Sequence, residues 1–261
     1  VSGQPSDHPT ASEDGAATCQ RCGTCCRQGG PALHSGDLEL LRSGRLRIDD
    51  LVTVRRGELA FPPLGEQPEV VRHEFLKLRG TGASWCCLFY DEGARGCSRY
   101  DDRPLACRVL DCRDTLALLE LAGRDLLTRF DCLAGDDPLL PLVRHHEAEC
   151  PCPDLGRLRR DLGEPEIDRA ALLAPLEALV HLDLDLRSRA VAAHRLSLER
   201  ELFLFGRPLF QLLAPLGVVV SARLSDRSPA PTAPGVPSAV SVAATLVLLL
   251  RAWLALHEGA G

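Results

Sequence analysis

The chain has 261 residues, of which 45% are hydrophobic and 25% are charged, and its formal net charge is −6 at pH 7. This apolar content suffices for a core of normal size and excludes wholesale disorder, and the length is that of one large or two small domains. The acidic balance argues against binding to a nucleic-acid backbone, which would require a basic face.

The distribution of cysteines divides the chain. The first 17 residues are polar and rich in Ser, Pro and Asp, and we expect them to form a disordered tail. Residues 18–152 contain all 12 cysteines, and we predict that they form one cysteine-rich domain. Residues 153–261 contain no cysteine, and their apolar spacing predicts a separate helical region.

The first predicted elements of the cysteine-rich domain are a short helix and two strands. The helix is predicted over residues 36–41. Alternating apolar residues over 51–59 and 70–78 predict the strands.

A hairpin and a further helix are predicted next. Segments 85–91 and 96–100 flank the sequence Glu-Gly-Ala-Arg, which predicts a hairpin turn. Residues 101–104, Asp-Asp-Arg-Pro, then open a helix, because an acidic cap residue and a first-turn proline favour helix N-termini. That helix would carry Cys107, and also Cys112 if it extends that far.

The remainder of the chain predicts helices separated by proline. Residues 166–180 and 187–205 both repeat apolar side chains at helical spacing. Residues 225–237 contain four prolines and predict a loop. Residues 236–256 are strongly apolar, and about 20 such residues can cross a bilayer. Because Arg251 interrupts this run, we expect a buried C-terminal helix rather than a membrane anchor.

The cysteines favour metal binding over disulfide formation. Their number is even, so a disulfide framework is one explanation. However, the chain is long enough to fold without cross-links, and its N-terminus shows no apolar run typical of a secretory signal. Two pairs, Cys25-Cys26 and Cys86-Cys87, are also adjacent, and neighbouring cysteines rarely bridge without strain. We therefore expect metal-binding thiols in a cytoplasmic protein.

The most informative motif is Cys19-Gln-Arg-Cys22-Gly-Thr-Cys25-Cys26. Its two C-x2-C steps let three sulfurs converge from a tight loop, for which Gly23 provides a small and flexible spacer. The same spacing holds iron–sulfur clusters in bacterial ferredoxins, although a fourth cysteine and a proline follow there. Zinc is also satisfied by four thiolates. The spacing thus predicts a metal site and leaves the choice of metal open.

A second block of motif residues comprises Cys87, Cys97, Tyr100, Arg103, Pro104, Cys107 and Arg108. Together with the first block, it resembles the CxxCxxCC cysteine-cluster family, also called the YkgJ family, over residues 18–113. The resemblance implies a small cysteine-rich domain that holds iron or zinc. A related domain in flagellin lysine methylases resembles an iron–sulfur protein. Cys86 is an additional thiol, and residues 153–261 lie outside the resemblance.

The seven family-type cysteines and Cys112 make eight candidate metal ligands: Cys19, Cys22, Cys25, Cys26, Cys87, Cys97, Cys107 and Cys112. Eight thiols could hold two four-cysteine centres, or one cluster with spare thiols for redox work. We favour a single iron–sulfur cluster of the 4Fe-4S type, with zinc as the alternative. Cys19, Cys22 and Cys25 are the minimum set of ligands in this interpretation.

Two arginines could tune such a cluster. Arg103 and Arg108 would donate hydrogen bonds to sulfur and offset the thiolate charge. The alternative is that both pair with carboxylates such as Asp101 and Asp102.

Residues outside the two blocks give weaker indications. The stretch 145–152, His-His-Glu-Ala-Glu-Cys-Pro-Cys, could bind a second metal, although adjacent histidines diverge on a helix and the proline can simply end it. We expect Cys132, which follows an apolar helix predicted over 116–127, to be a bystander thiol.

The sequence as a whole predicts an α+β, mostly helical protein, with a small metal-binding domain that contains a short β-hairpin and is followed by helices. The favoured function is that of an iron–sulfur or iron-binding protein in electron transfer, metal handling or redox sensing. The alternatives are a cluster-dependent modifying enzyme with an open iron site, as the methylase resemblance suggests, and a zinc-stabilised interaction module. We expect an unidentified protein redox partner or substrate, no nucleic acid and no membrane.

Overall fold

The structure is a computed structural model that describes residues 19, 21–82 and 84–218. The expected tail (1–17), the proline-rich loop (225–237) and the apolar C-terminal helix (236–256) therefore lie outside the described residues.

The described residues form a mostly helical α+β fold, as predicted. The α-helices are α1 (Thr24–Arg27), α2 (Leu38–Arg42), α3 (Leu105–Val109), α4 (Leu116–Leu121), α5 (Arg129–Cys132), α6 (Leu140–Glu149), α7 (Leu155–Gly163), α8 (Arg169–His194), α9 (Leu198–Phe205) and α10 (Leu209–Leu213). Single 3-10 turns occur at Ser35–Asp37, Ile48–Asp50 and Ala214–Leu216. The first of these turns and α2 together confirm the helix predicted over 36–41.

The strands are short and pair only in twos. They are β1 (Leu51–Val54), β2 (Leu59–Ala60), β3 (Glu69–Val70), β4 (Phe75–Leu78), β5 (Gly80–Thr81), β6 (Cys86–Cys87), β7 (Tyr90–Asp91) and β8 (Gly96–Cys97). Four antiparallel pairs result, namely β1 with β4, β2 with β3, β5 with β6, and β7 with β8. The β7–β8 pair confirms the predicted hairpin, with Tyr90 opposite Cys97.

The two strands predicted over 51–59 and 70–78 are each interrupted once. Gly57 has a φ of 96°, a backbone conformation that favours glycine, and a Cβ there would lie 2.7 Å from the Cys152 carbonyl oxygen. The Gly57 N–H still donates to the Val71 carbonyl at 2.8 Å. The segments therefore remain partners in one irregular hairpin, although each is not one continuous strand.

Helix boundaries differ more from the prediction. The helices predicted over 166–180 and 187–205 are in fact α8 and α9, because α8 continues through Pro175 to His194. The break comes at Arg195, which has a left-handed φ of 50°, and the Ser197 side chain then accepts from the Arg200 N–H to cap α9. The helix predicted from residue 101 begins later, at α3, and Cys112 lies beyond its end. The helix predicted over 116–127 is only the six-residue α4.

The main hydrophobic core lies between the β1–β4 pair and α9. Leu51 and Leu76 from the strands pack with Phe203 and Phe205 from α9, and all four are almost completely buried. Burying each such side chain stabilises the fold by about 1.5–3 kcal/mol. Cys87 of β6 belongs to the same cluster, so one wall of the cysteine-rich segment rests on this core.

A second core joins α7, α8 and α10 through Leu155, Leu158, Val180, Leu209 and Leu212. The division into a domain at 18–152 and a helical region at 153–261 remains a prediction. The helices of the second region nevertheless support the first, since α9 supplies side chains to the main core.

Candidate metal centre

The CxxCxxCC segment folds as a tight turn followed by a single helical turn. Gly23 has a left-handed φ of 78° and precedes α1, which carries Cys25 and Cys26. A Cβ at Gly23 would overlap the Tyr90 hydroxyl group from the β7–β8 hairpin. The spacer must therefore be glycine both for its backbone conformation and for the close approach of the hairpin.

The second motif block delivers thiols from three different elements. Cys87 lies on β6 opposite Gly80. Cys97 lies on β8, and Cys107 lies on α3. Cys112 is exposed in the loop after α3. Short local elements thus bring together thiols that are up to 25 residues apart in this block.

All eight predicted ligands line one cavity of about 60 Å³. The wall also contains the arginines Arg21, Arg99 and Arg103 and the aromatic side chains Phe89, Tyr90 and Tyr100. One water molecule requires roughly 10–15 Å³ of cavity volume. The cavity therefore has room for several groups of the size of a water molecule. The sequence pattern identified all eight cysteines of this wall, but it missed Arg21, Arg99 and Phe89.

The thiols of this wall are not drawn together around a single point. Among the described residues, no three thiols of the cavity wall have sulfur atoms within 4.8 Å of one another. The group of metal-ligating side chains that meets this distance consists of His146, Cys150 and Asp183. The adjacent thiols Cys25 and Cys26 are 4.0 Å apart.

The local environment gives the thiols unequal acidity. A hydrogen bond from the Cys26 thiol lowers the pKa of Cys25 to about 6. The same hydrogen bond is the main cause that raises the pKa of Cys26, and burial is the second cause. A side-chain hydrogen bond with Thr24 lowers the pKa of Cys22. Burial raises the pKa of Cys87 to about 11 and also raises that of Cys107. Within the CxxCxxCC segment, Cys22 and Cys25 are therefore the thiols whose pKa is lowered.

The two predicted arginines lie in different places. Arg103 lines the cavity, stacks its guanidinium 3.6 Å from the centre of the Tyr100 ring, and donates from Nε to the Tyr100 carbonyl at 2.7 Å. Arg108 is not part of the wall, is half exposed, and places its guanidinium 3.9 Å from Asp37. Its carboxylate partner is therefore Asp37 rather than Asp101 or Asp102.

The remaining four cysteines lie outside the wall. Cys132 is half buried against the main core, and its role as a bystander thiol remains a prediction. Cys86 points toward the Cys26 carbonyl oxygen at 3.4 Å. Cys150 and Cys152 lie near the end of α6, away from the cavity.

The stretch 145–152 contributes to a buried ion network. His146 Nε2 lies 2.7 Å from Asp183 Oδ1, which also accepts from Arg187 Nε at 2.8 Å. The other oxygen, Asp183 Oδ2, accepts from the Leu209 N–H at 3.0 Å. Glu147 instead pairs with Arg129. Three donors thus occupy most of the acceptor sites of the Asp183 carboxylate. Asp183 was missed by the sequence analysis, although it follows Val180 at helical spacing on the buried face of α8.

Burial and charge set the protonation states in this network. Burial lowers the pKa of His146 to about 4, so the imidazole is neutral near pH 7. Burial alone would raise the pKa of Asp183, but Arg187, His146 and the Leu209 N–H together hold it well below its usual range. The network thus consists of a neutral His146 that is hydrogen-bonded to the ion pair between the Asp183 carboxylate and the Arg187 guanidinium.

Comparison with known families identifies the cysteine-rich segment. Residues 18–121 match the model of the CxxCxxCC family, which is described as a putative zinc- or iron-chelating domain. The matched family is the one that the two motif blocks predict, and the match supports metal binding by this segment of the chain. No curated protein and no solved structure shows significant similarity to the chain.

The described helices also bear on the expected relation to membranes. None of them combines the length and the apolar character needed to cross a bilayer.

Proposed function

We propose that the chain is an iron–sulfur protein, with a cluster of the 4Fe-4S type bound through at least Cys19, Cys22 and Cys25, that serves electron transfer, metal handling or redox sensing. The observation that carries this proposal is the cavity of about 60 Å³ whose wall contains eight thiols. The donor set fits the cluster, because thiolates are its usual ligands in proteins.

The spacing of the thiols favours a cluster over a single zinc ion. Four thiolates at about 2.3 Å from one zinc ion lie about 3.8 Å from one another in a tetrahedron. No trio from the cavity wall lies within 4.8 Å in the described part of the chain. Cysteine sulfurs that bind different irons of one cluster remain farther apart, which agrees better with this wall.

The wall supplies the other features that such a site requires. Cys87 and Phe89 are buried in the main core and exclude water from one side, whereas Cys22 and Cys112 are exposed on the other. Arg103 lowers the pKa of Cys107 through its charge, against the dominant effect of burial, and so offsets part of the thiolate charge. A bound cluster supplies reversible one-electron chemistry at a potential that burial and charge adjust.

The proposal is tested by metal and sulfide analysis of the full chain purified without oxygen from cells supplied with iron. We expect iron and acid-labile sulfide in equal amounts, with a brown colour and a broad absorption band. Stoichiometric zinc without sulfide would contradict the proposal and favour the zinc-stabilised module.

A further inference from the structure

The mouth of the cavity combines exposed thiols with exposed arginines. Those residues of the wall that are exposed to solvent form this cavity mouth, and they are Arg21, Cys22, Arg99 and Cys112. No aspartate or glutamate is among the described residues that form the wall. We propose that the cavity mouth is the docking surface for an acidic electron-transfer protein. The inference rests on the proposed function, because it names the class of partner that exchanges electrons with the same centre.

The two arginines of the cavity mouth are not paired with carboxylates. In the part of the chain that the structure describes, the guanidinium groups of Arg21 and Arg99 form no ion pair and no hydrogen bond. Arg27, by contrast, pairs with Glu92 although both are exposed. The cavity mouth therefore presents two positive charges that no carboxylate of the described chain offsets, although the formal net charge of the whole chain is −6.

Aromatic rings of the wall hold these two guanidinium groups in place. Arg21 lies over the Tyr100 ring, 4.1 Å from its centre, and Arg99 lies over the Phe89 ring at 5.7 Å. The Arg21 N–H also donates to Cys19 Sγ at 3.4 Å. Stacking on a ring leaves the N–H donors at the edge of a guanidinium group free for an acceptor. Both arginines can therefore donate to carboxylates of a partner.

The cavity mouth is also the side on which sulfur is accessible. Cys87 and Phe89 are buried in the main core, so that a partner cannot approach from there. Cys22, a proposed ligand of the cluster, is exposed and directly follows Arg21. A protein that binds the two arginines therefore covers the exposed edge of the proposed centre, where an electron can pass between the two proteins.

Charge complementarity favours an acidic protein as the occupant. Opposite charges on two surfaces steer the partners together and set their relative orientation. The planar guanidinium group matches the geometry of a carboxylate, which it can bind through two parallel hydrogen bonds. A nucleic acid would require a broader basic face, and the net charge of this chain opposes its approach.

Electron transfer to two proteins of opposite charge tests the docking surface. The full chain is purified without oxygen, reduced, and mixed in a stopped-flow instrument with an acidic blue-copper protein or with the basic protein cytochrome c. In each reaction the reduced centre loses one electron, and copper(II) or iron(III) of the probe protein gains it. We expect added salt to slow the reaction with the acidic protein.

Arg21→Gln/Arg99→Gln should slow electron transfer to the acidic protein by about tenfold, the lower end of the range for electrostatic steering. It should not slow transfer to cytochrome c. Arg159→Gln/Arg160→Gln is the matched control, since it removes the same charge from exposed positions of α7 outside the wall. This control should leave both rates nearly unchanged.

Two outcomes of these rate measurements would overturn the proposal. If Arg21→Gln/Arg99→Gln slowed both probe proteins equally, the arginines would act on the potential of the centre and not on docking. If this variant reacted with both proteins as the α7 control does, the arginines would have no part in electron transfer.

Chemical modification of arginine separates this inference from the proposed cluster. The unaltered chain is treated with phenylglyoxal, with and without the acidic blue-copper protein, and the modified arginines are mapped by mass spectrometry. We expect the acidic protein to protect Arg21 and Arg99 but neither Arg159 nor Arg160. Equal modification with and without it would contradict the docking surface, whichever metal is bound. If a chain that contains only zinc showed this protection, the acidic docking partner would stand, and the cluster and its electron transfer would be refuted.

Discussion

At the scale of single residues, the candidate site depends on one close approach. Gly23 turns the CxxCxxCC segment with a positive φ and lies directly beneath the Tyr90 hydroxyl group. Arg27, at the end of α1, donates to that hydroxyl at 2.9 Å and pairs with Glu92 through two bonds of 2.9 and 3.0 Å. These contacts hold the first thiol block against the β7–β8 hairpin that carries the second.

Replacing Gly23 with alanine should therefore disturb the metal site more than the same replacement at a glycine that has a positive φ but no close neighbour. A left-handed conformation costs a non-glycine residue roughly 1–2 kcal/mol, and the added methyl group must also displace Tyr90. We expect Gly23→Ala to lower the metal content as well as the free energy of unfolding, both measured on protein purified without oxygen.

Gly44 provides the matched control for this substitution. Its φ of 72° is nearly the same, but a Cβ there meets nothing within 4 Å. Gly44→Ala should cost only the conformational energy and leave the metal content unchanged. Equal metal content in the two variants would show that the Gly23–Tyr90 contact is not needed by the site.

At the scale of elements, the sequence predicted those features that depend on local spacing. The eight cavity thiols were found because C-x2-C steps, a hairpin and a helix start are readable within a few residues. The helix boundaries could not be predicted in this way, because Asp183 and Arg187 are polar residues on the buried side of α8 and interrupt its apolar pattern. Their partners lie on α6, α9 and the start of α10, and such long-range pairing leaves no local signature.

This ion network makes an acid-sensitive contact between elements. The pKa of His146 is lowered to about 4 by burial, so the unfolded chain, with an ordinary value near 6.5, binds the proton first as the pH falls. The neutral histidine thus contributes its full share of the free energy of unfolding above about pH 6.5. This contribution is lost as the pH falls from about 6.5 to about 4. The loss should amount to up to about 3 kcal/mol, at 1.36 kcal/mol for each pKa unit.

Replacing His146 with glutamine, which can donate to Asp183 but does not titrate, should remove this part of the pH dependence. We expect urea unfolding between pH 6.5 and 4.5 to show a shallower decline for His146→Gln than for the unaltered chain. His145→Gln, at the exposed neighbouring position, should keep the original slope. Parallel curves for all three proteins would refute a buried neutral histidine.

At the scale of the whole molecule, stability is unevenly distributed. The β1–β4 pair and α9 share the main core, and α7, α8 and α10 share the second. The segments that carry the cavity thiols consist of strands of two residues and helices of four or five. Elements this short bury little apolar surface and are not stable by themselves, so a metal centre is the natural source of their order.

Removal of the metal should accordingly release the cysteine-bearing segments while the cores persist. We expect limited proteolysis after anaerobic chelation to cut first within residues 19–30 and 80–113, and to leave residues 165–205 intact. The β1–β4 pair should also resist, because its buried face rests on Phe203 and Phe205 rather than on the thiols. Protection can be followed by mass spectrometry of the fragments over time. If metal-free and metal-loaded proteins were cut at the same rate everywhere, the centre would contribute nothing to the fold. If residues 165–205 were lost as quickly as the thiol segments, metal binding would be coupled to folding of the whole chain.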